Sequence, residues 1–173
     1  MLCLSLIAFL LLTIQGSCRK EGLKLIAVAV IEPTGTLYIS GKLVFTQTKK
    51  DLVTLHLELV VPSRKNSSVA VHIHEHGMCG NMGGDAHGHW NPGARMHGKW
   101  GTESFHAGDI GNITLDSVGR GTLELETALW SIGGDDSHNI LGRSIIVHGG
   151  IDNYSQPTGN SGPRIGCGII EKK

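Results

Sequence analysis

The stretch LVTLHLEL, Leu52 to Leu59, sets Val53, Leu55, Leu57 and Leu59 against Thr54, His56 and Glu58. Strict alternation is the period of a strand with one buried face, because successive side chains of an extended chain leave on opposite sides. The neighbouring stretches Leu25 to Ile31, Leu37 to Thr46 and Val69 to His74 are likewise rich in Val, Ile, Leu and Thr. Turn-forming residues at Pro33-Thr34-Gly35, Lys49-Lys50-Asp51 and Pro62 through Ser68 separate them, which predicts a run of antiparallel strands. A second block follows at Ile110 to Leu115, Gly121 to Thr127, Ser144 to Val147 and Cys167 to Ile170. Helical periodicity is absent at useful length, and short strands with regular turn signals predict a sandwich or barrel.

With 173 residues, 25 of them glycine, 5% aromatic and 17% charged, the chain suits one domain with many turns and leaves no room for two. Lys plus Arg and Asp plus Glu both come to 15, so no global field favours nucleic acid, and steering of a charged substrate must be local. Leu2 to Ile14 is an apolar run of signal-peptide length, followed by Gln15-Gly16-Ser17-Cys18 and Arg19-Lys20, although no Lys or Arg precedes it. It falls short of the roughly 20 apolar residues a membrane span needs. These residues predict a signal peptide over 1–18, cleaved between 16 and 20, a mature domain over 19–173, and a secreted product, periplasmic in a bacterial host. Cys3 lies inside the signal and Cys18 at its edge, where lipid attachment is an alternative that Gln15 disfavours. Cys79 and Cys167 remain in the mature domain, and two cysteines in an oxidising compartment imply one disulfide.

Between the two strand blocks, Gly77 to Gly108 is rich in Gly and His with almost no aliphatic residues, and so lacks the means to pack a core. Gly149 to Gly166 carries Gly, Pro, Asn and Ser just ahead of the last strand. Loops of this length are commonly functional, and both adjoin histidines, which points to one shared site.

His72-Ile73-His74 puts two imidazoles at alternate positions of a strand, on the same face and within reach of one ion. Alone, such a pair is a weak signal. His89, His97, His106 and Asp109 follow in the glycine-rich region, where three imidazoles and a carboxylate make a closed, structural type of zinc site. His148 ends the run Ile145-Ile146-Val147, and imidazole-rich sites suit copper.

These segments, VHIHEHG (71 to 77), GHWNP (88 to 92), HAGDIGN (106 to 112), GRSIIVHGGID (142 to 152) and TGNSGPRIGCGI (158 to 169), closely resemble the copper-zinc superoxide dismutase family. The resemblance covers Lys24 to Ile170. It implies an all-β fold, an antiparallel eight-stranded Greek-key sandwich or flattened barrel with two long functional loops. Copper ligands would fall on His72, His74, His89 and His148, and zinc ligands on His89, His97, His106 and Asp109, with His89 the bridging imidazolate. Arg164 would be the active-site arginine, Asp152 the carboxylate linking ligands of the two metals, and Cys79 with Cys167 the disulfide. The implied activity is dismutation of superoxide to oxygen and hydrogen peroxide, with copper and zinc ions as cofactors. His89 and Arg164 would take part in catalysis. The implied partners are superoxide and a second copy in a homodimer, with neither nucleic acid nor a membrane span.

Some residues depart from the family pattern. Cys79 comes only two residues after Gly77, Lys99-Trp100 replaces a glycine and proline, and residues 149–163 have almost no charge beyond Asp152, which predicts weaker steering and a more open copper. Trp100 is expected to cap the site or meet a partner. His56, His76, His87 and His138 match no ligand position and read as solvated or supporting residues, with His87 near enough to His89 in sequence to compete for a metal. Asn66, Asn112 and Asn153 head glycosylation sequons. Two other classes fit less well. A copper carrier on the same fold needs neither a bridge nor Arg164, and an immunoglobulin-type adhesion domain leaves the histidines unexplained.

Overall fold

In the computed structural model, which describes residues 24–49, 52–134 and 137–173, the alternation at 52–59 is realised in strand β3 (Leu52–Val60). Val53, Leu55, Leu57 and Leu59 are buried there, and Thr54, His56 and Glu58 are exposed. Before it come β1 (Leu25–Pro33) and β2 (Ser40–Lys49); after it come β4 (Ser68–His74), β5 (Gly111–Thr114), β6 (Arg120–Thr127), β7 (Ser144–His148), β8 (Arg164–Ile169) and a two-residue β9 (Glu171–Lys172). The proposed signal segment with its cleavage site, Cys3 and Cys18 lie outside the described residues. Among the described residues, no helix is long and apolar enough to cross a membrane.

Eight strands pair in the order β5-β4-β7-β8-β1-β2-β3-β6, with β9 beside β1. Every pairing is antiparallel. The two ends of this order, β5 and β6, are consecutive in the chain, and the Asp116 N–H donates to Arg120 O at 2.8 Å across the turn between them. The sheet therefore curls into a nearly closed barrel, which leaves little unpaired edge. From β6 the chain crosses over β5 to lay β7 against β4, the Greek-key step.

The interior is filled by inward residues of β1 to β8, with Trp130 and Phe45 meeting edge to face at 5.7 Å between ring centroids. Trp130 also donates its indole N–H to Ala107 O at 2.8 Å, which fastens the end of the long glycine-rich loop to the core. Trp100 neither caps a site nor stands free. It is half-buried against Trp130 and Phe105, with ring centroids 5.3 and 5.0 Å away, because the departure from the family pattern supplied a large apolar side chain beside an existing aromatic cluster.

Several strand boundaries differ from those expected: β1 runs on through Pro33 and β2 through Lys49, and two strand starts shift. β2 starts at Ser40 rather than Leu37, since Leu37 and Tyr38 are exposed in the preceding turn and only Ile39 turns inward. β8 starts at Arg164 rather than Cys167, so Arg164 sits on a paired strand and not in the preceding loop. The backbone there is held from the side by Thr34, whose hydroxyl donates to Arg164 O at 2.7 Å.

Candidate metal centre

Alternation along β4 sends Val69, Val71 and Ile73 into the core and His72 and His74 to the outer face. Antiparallel register sets His72 opposite Ile146 on β7, which brings His148, two residues further on, diagonally onto the same face. The His72 and His148 ring centroids are 5.0 Å apart. Beyond β4 the returning loop is laced to the strand: Trp90 N–H donates to Ile73 O at 2.9 Å and Ile73 N–H to Gly108 O at 2.8 Å. Position 108 must be glycine, because a Cβ there would collide with Ile73 O and the Trp90 backbone. The lacing puts His89 beside His74 and leaves His97, His106 and Asp109 on its far side.

Two clusters result. His72, His74, His89 and His148 form one and His89, His97, His106 and Asp109 the other; in each, the possible ligand atoms all lie within 4.8 Å of one another, and His89 belongs to both. Every member is buried. Eight buried side-chain polar atoms lack a hydrogen-bond partner among the described residues, and six are imidazole nitrogens of these histidines: Nδ1 of His72, His97 and His106, and Nε2 of His74, His89 and His148. An unpartnered buried polar atom is costly, so six converging on two points require explanation. Two metal ions would supply it, and the donor set fits them.

The opposite nitrogens are mostly occupied. His74 Nδ1 faces His87 O at 2.9 Å, and His148 Nδ1 faces Gly162 O at 3.3 Å. His72 Nε2 and His97 Nε2 face the two oxygens of Asp152, Oδ2 at 2.9 Å and Oδ1 at 3.0 Å. A ring nitrogen that donates to oxygen leaves its partner nitrogen with a lone pair for a metal, so these contacts fix the tautomers.

Asp109 shows the same convergence. Its oxygens lie 2.8 Å from His89 Nδ1, 2.9 Å from His97 Nδ1 and 3.2 Å from His106 Nδ1. Only the first contact has hydrogen-bond geometry; the other two nitrogens point past the oxygens. The separations are close to the roughly 3.3 Å between ligands of a tetrahedral ion with bonds near 2.0 Å.

Electrostatics match this arrangement. Burial, with help from neighbouring imidazoles, lowers His74 to about 2, His148 to about 3 and His89 to about 4, and the Asp109 hydrogen bond only partly offsets the effect at His89. The charge of Arg164 adds to the lowering at His74 and His148, which marks it as a close neighbour of the first cluster. Burial would raise both carboxylates. At Asp109 the nearby His106 ring, the His89 hydrogen bond and the His106 N–H together outweigh it and hold the group well below the ordinary range, and at Asp152 the bonds from His72, His97 and the Tyr154 N–H hold it at about 2. All these groups are thus in the unprotonated form that metal binding needs.

Arg164 donates from its two terminal nitrogens to Gly83 O and His87 O, which clamps the guanidinium beside the first cluster. Cys79 and Cys167 form the disulfide, with 5.7 Å between Cα atoms, and tie the loop that supplies Gly83 to the strand that supplies Arg164. Of the remaining histidines, His56 is exposed between Glu58 and Glu124 on the barrel wall, and His138 is exposed. His87 enters neither buried cluster: its carbonyl supports His74, while its ring faces His76 outside.

Four residues with structural parts in the site were not singled out from the sequence for those parts. Gln156 spans the His97 backbone, accepting from its N–H at 3.2 Å and donating to its carbonyl at 2.9 Å. Asn112 does the same for Asp152, at 2.8 and 2.9 Å, and also donates to the Tyr154 hydroxyl. Its amide nitrogen is therefore engaged, which sets this sequon apart from those at exposed Asn66 and Asn153. The Tyr154 N–H donates to Asp152 Oδ1 at 2.7 Å. Gly159, at φ +77°, lies directly over the Asp152–His97 contact, where any Cβ would overlap the carboxylate. Glycines and amides in a loop of Gly, Pro, Asn and Ser look solvated in sequence, and only the folded loop shows what they hold.

Residues 39–170 match the family model described as copper/zinc superoxide dismutase. The chain is 35% identical over 151 residues to a superoxide dismutase [Cu-Zn] from Humicola lutea, covering 83% of this chain and 96% of that protein. A namesake from Yarrowia lipolytica is 35% identical over 152 residues, with the same coverage. An extracellular superoxide dismutase [Cu-Zn] from Haemonchus contortus is 37% identical over 106 residues, covering 57% of each chain.

Proposed function

The chain belongs to the copper/zinc superoxide dismutase family, and on that premise we propose that it is a secreted enzyme converting two superoxide anions and two protons to oxygen and hydrogen peroxide. In this reading His72, His74, His89 and His148 hold copper, and His89, His97, His106 and Asp109 hold zinc. The observation that carries it is the set of six unpartnered imidazole nitrogens aimed into two clusters that share His89.

Copper supplies a one-electron couple when bound, which zinc lacks, so that one superoxide gives up an electron and the next receives it. The protein's part is to attract the anion, orient it and manage the proton. Arg164 presents a fixed planar cation at the first cluster, suited to drawing in and orienting a small anion. Both oxygens of Asp152 face imidazole nitrogens of His72 and His97, which offset its charge toward an approaching anion, and the low charge of residues 149–163 leaves Arg164 the main cationic side chain there. His89 Nε2 faces the first cluster, while Nδ1, 2.8 Å from Asp109 Oδ1, faces the second, where it would bind zinc once its proton is lost. Nε2 is therefore the atom proposed to hold a proton and pass it toward the peroxide product. On the zinc side, Asp109 and the loop around it keep the His89 ring in place.

Three features favour secretion: the apolar run over Leu2 to Ile14, the Cys79–Cys167 disulfide, and a relative named extracellular. A homodimer is part of the proposal. The test is expression of the full chain in a host with a secretory pathway. The expected result is superoxide consumption in the medium from a protein whose N-terminus falls just after a position between 16 and 20, with a sedimentation mass of two chains. Active protein that stays in the cytosol with its first 18 residues intact would overturn the secretion reading.

A further inference from the structure

Outside the two buried clusters, Glu75, His76 and His87 offer a carboxylate oxygen and two imidazole nitrogens, all within 4.8 Å of one another, and all three residues are exposed. The backbone brings them together. Past the end of β4 the chain stays paired with the returning loop: His74 bridges His89, the Glu75 N–H donates to Gly88 O at 3.0 Å, and the His76 N–H donates to Ala86 O at 3.2 Å. His76 and His87 thus face each other across a short ladder, with ring centroids 4.4 Å apart and planes at 74°. The ladder is also fixed from behind, since Arg143 donates to Glu75 O at 3.1 Å and the Ser144 hydroxyl to His76 O at 2.7 Å.

His87 adds an independent observation. Its φ of +61° with ψ of −141° is a conformation that glycine takes readily and other residues rarely take. That conformation turns the carbonyl inward to His74 and Arg164 and the imidazole outward to His76. The carbonyl's task would be met by glycine, so the backbone gives no reason for an imidazole here. Packing gives none either, as the side chain is exposed.

We propose that Glu75, His76 and His87 form a third metal site, at the surface, for a divalent transition ion that prefers nitrogen and oxygen donors, copper(II) or zinc(II). Two imidazoles and a carboxylate with an open outer position make a recognised donor set for such ions. Small rotations of exposed side chains suffice to close the three atoms to the roughly 3.3 Å spacing of a tetrahedral ion. An ion there would also stiffen the ladder whose His87 carbonyl supports His74 and Arg164. The inference rests on these three side chains and stands whichever metals fill the buried clusters.

The test uses the untagged holoprotein, with its buried clusters filled, dialysed against increasing zinc chloride and analysed for metal per chain. The parent is expected to take up one further ion. His76→Ala and Glu75→Gln should bind that ion at least tenfold more weakly while keeping their buried metal and their superoxide consumption. His87→Asn, a residue that tolerates positive φ, should likewise bind the extra ion at least tenfold more weakly. A parent that takes up no ion beyond the buried ones, or a His76→Ala variant that binds the extra ion as tightly as the parent, would overturn the proposal.

Discussion

Replacing Asp152 with Asn separates the two halves of the centre. The carboxylate accepts from His72 Nε2 at 2.9 Å and from His97 Nε2 at 3.0 Å, one oxygen for each ring. An amide of the same shape accepts from one ring and presents its NH2 to the other. The second imidazole must then either face donor to donor or move its proton to Nδ1, the nitrogen needed for the metal. Loss of such a supporting partner weakens metal binding by about 10- to 100-fold, which is about 1.4 to 2.7 kcal/mol. The two rings are not equally vulnerable. His72 lies on β4, in register with β7, and keeps its direction through the strand. His97 lies in a loop whose backbone is held by Gln156, and Asp152 orients its ring. Asp152→Asn should therefore lower zinc affinity by 10- to 100-fold and copper affinity by only a few-fold, as measured by chelator competition for each metal separately. Unchanged affinity for both metals, or copper falling further than zinc, would refute this reasoning.

Arg164→Ala should lower superoxide consumption by about tenfold or more at low salt and flatten its dependence on ionic strength, with metal content unchanged; Arg164→Lys should recover part of the rate. Equal rates in all three proteins would show that the arginine does not steer. Cysteines 88 positions apart close a long loop, so replacing Cys79 and Cys167 together by Ala should cost the metal-free protein about 4 to 5 kcal/mol in urea denaturation. A loss below about 1 kcal/mol would mean that the unfolded chain is little constrained by the crosslink. In the metal-free protein, His74, His148 and His89 sit at about 2, 3 and 4, below the 6.5 of a free imidazole. Their unfolded forms bind protons that the folded forms refuse. Stability should thus be full above pH 6.5 and fall as the pH drops from there through about 4, 3 and 2, on the order of 1 kcal/mol per imidazole per pH unit at first. A denaturation midpoint that stays flat from pH 7 to 5 would contradict this.

The barrel was legible in the sequence because its signals are local. The alternation at 52–59 identifies a half-buried strand without help from elsewhere, and the turn residues between strands separate them. The ligand candidates were legible for a different reason: histidines cluster in and beside the glycine-rich region, and their spacing with Asp109 and the cysteines resembles that of a family. What stayed hidden depends on contacts between distant segments. Asn112 and Asp152 are 40 residues apart and Gln156 and His97 are 59 apart, and no local pattern links either pair. Arg164 was expected in the loop because the residues before it favour turns, yet pairing with His148 on the neighbouring strand β7 draws it into β8. Trp100, in place of the expected glycine and proline, suggested a cap on the site or a contact with a partner, and the aromatic cluster that receives it is formed with Trp130, 30 residues on.

The central claim is that two buried clusters joined through His89 hold copper and zinc and dismutate superoxide. It is tested most directly by metal analysis and superoxide consumption of the purified mature domain beside a His148→Ala variant. The account predicts one copper and one zinc per chain with rapid superoxide consumption in the parent, and loss of both copper and activity, with zinc retained, in the variant. Full copper loading with no superoxide consumption in the parent would contradict it and point to a copper carrier.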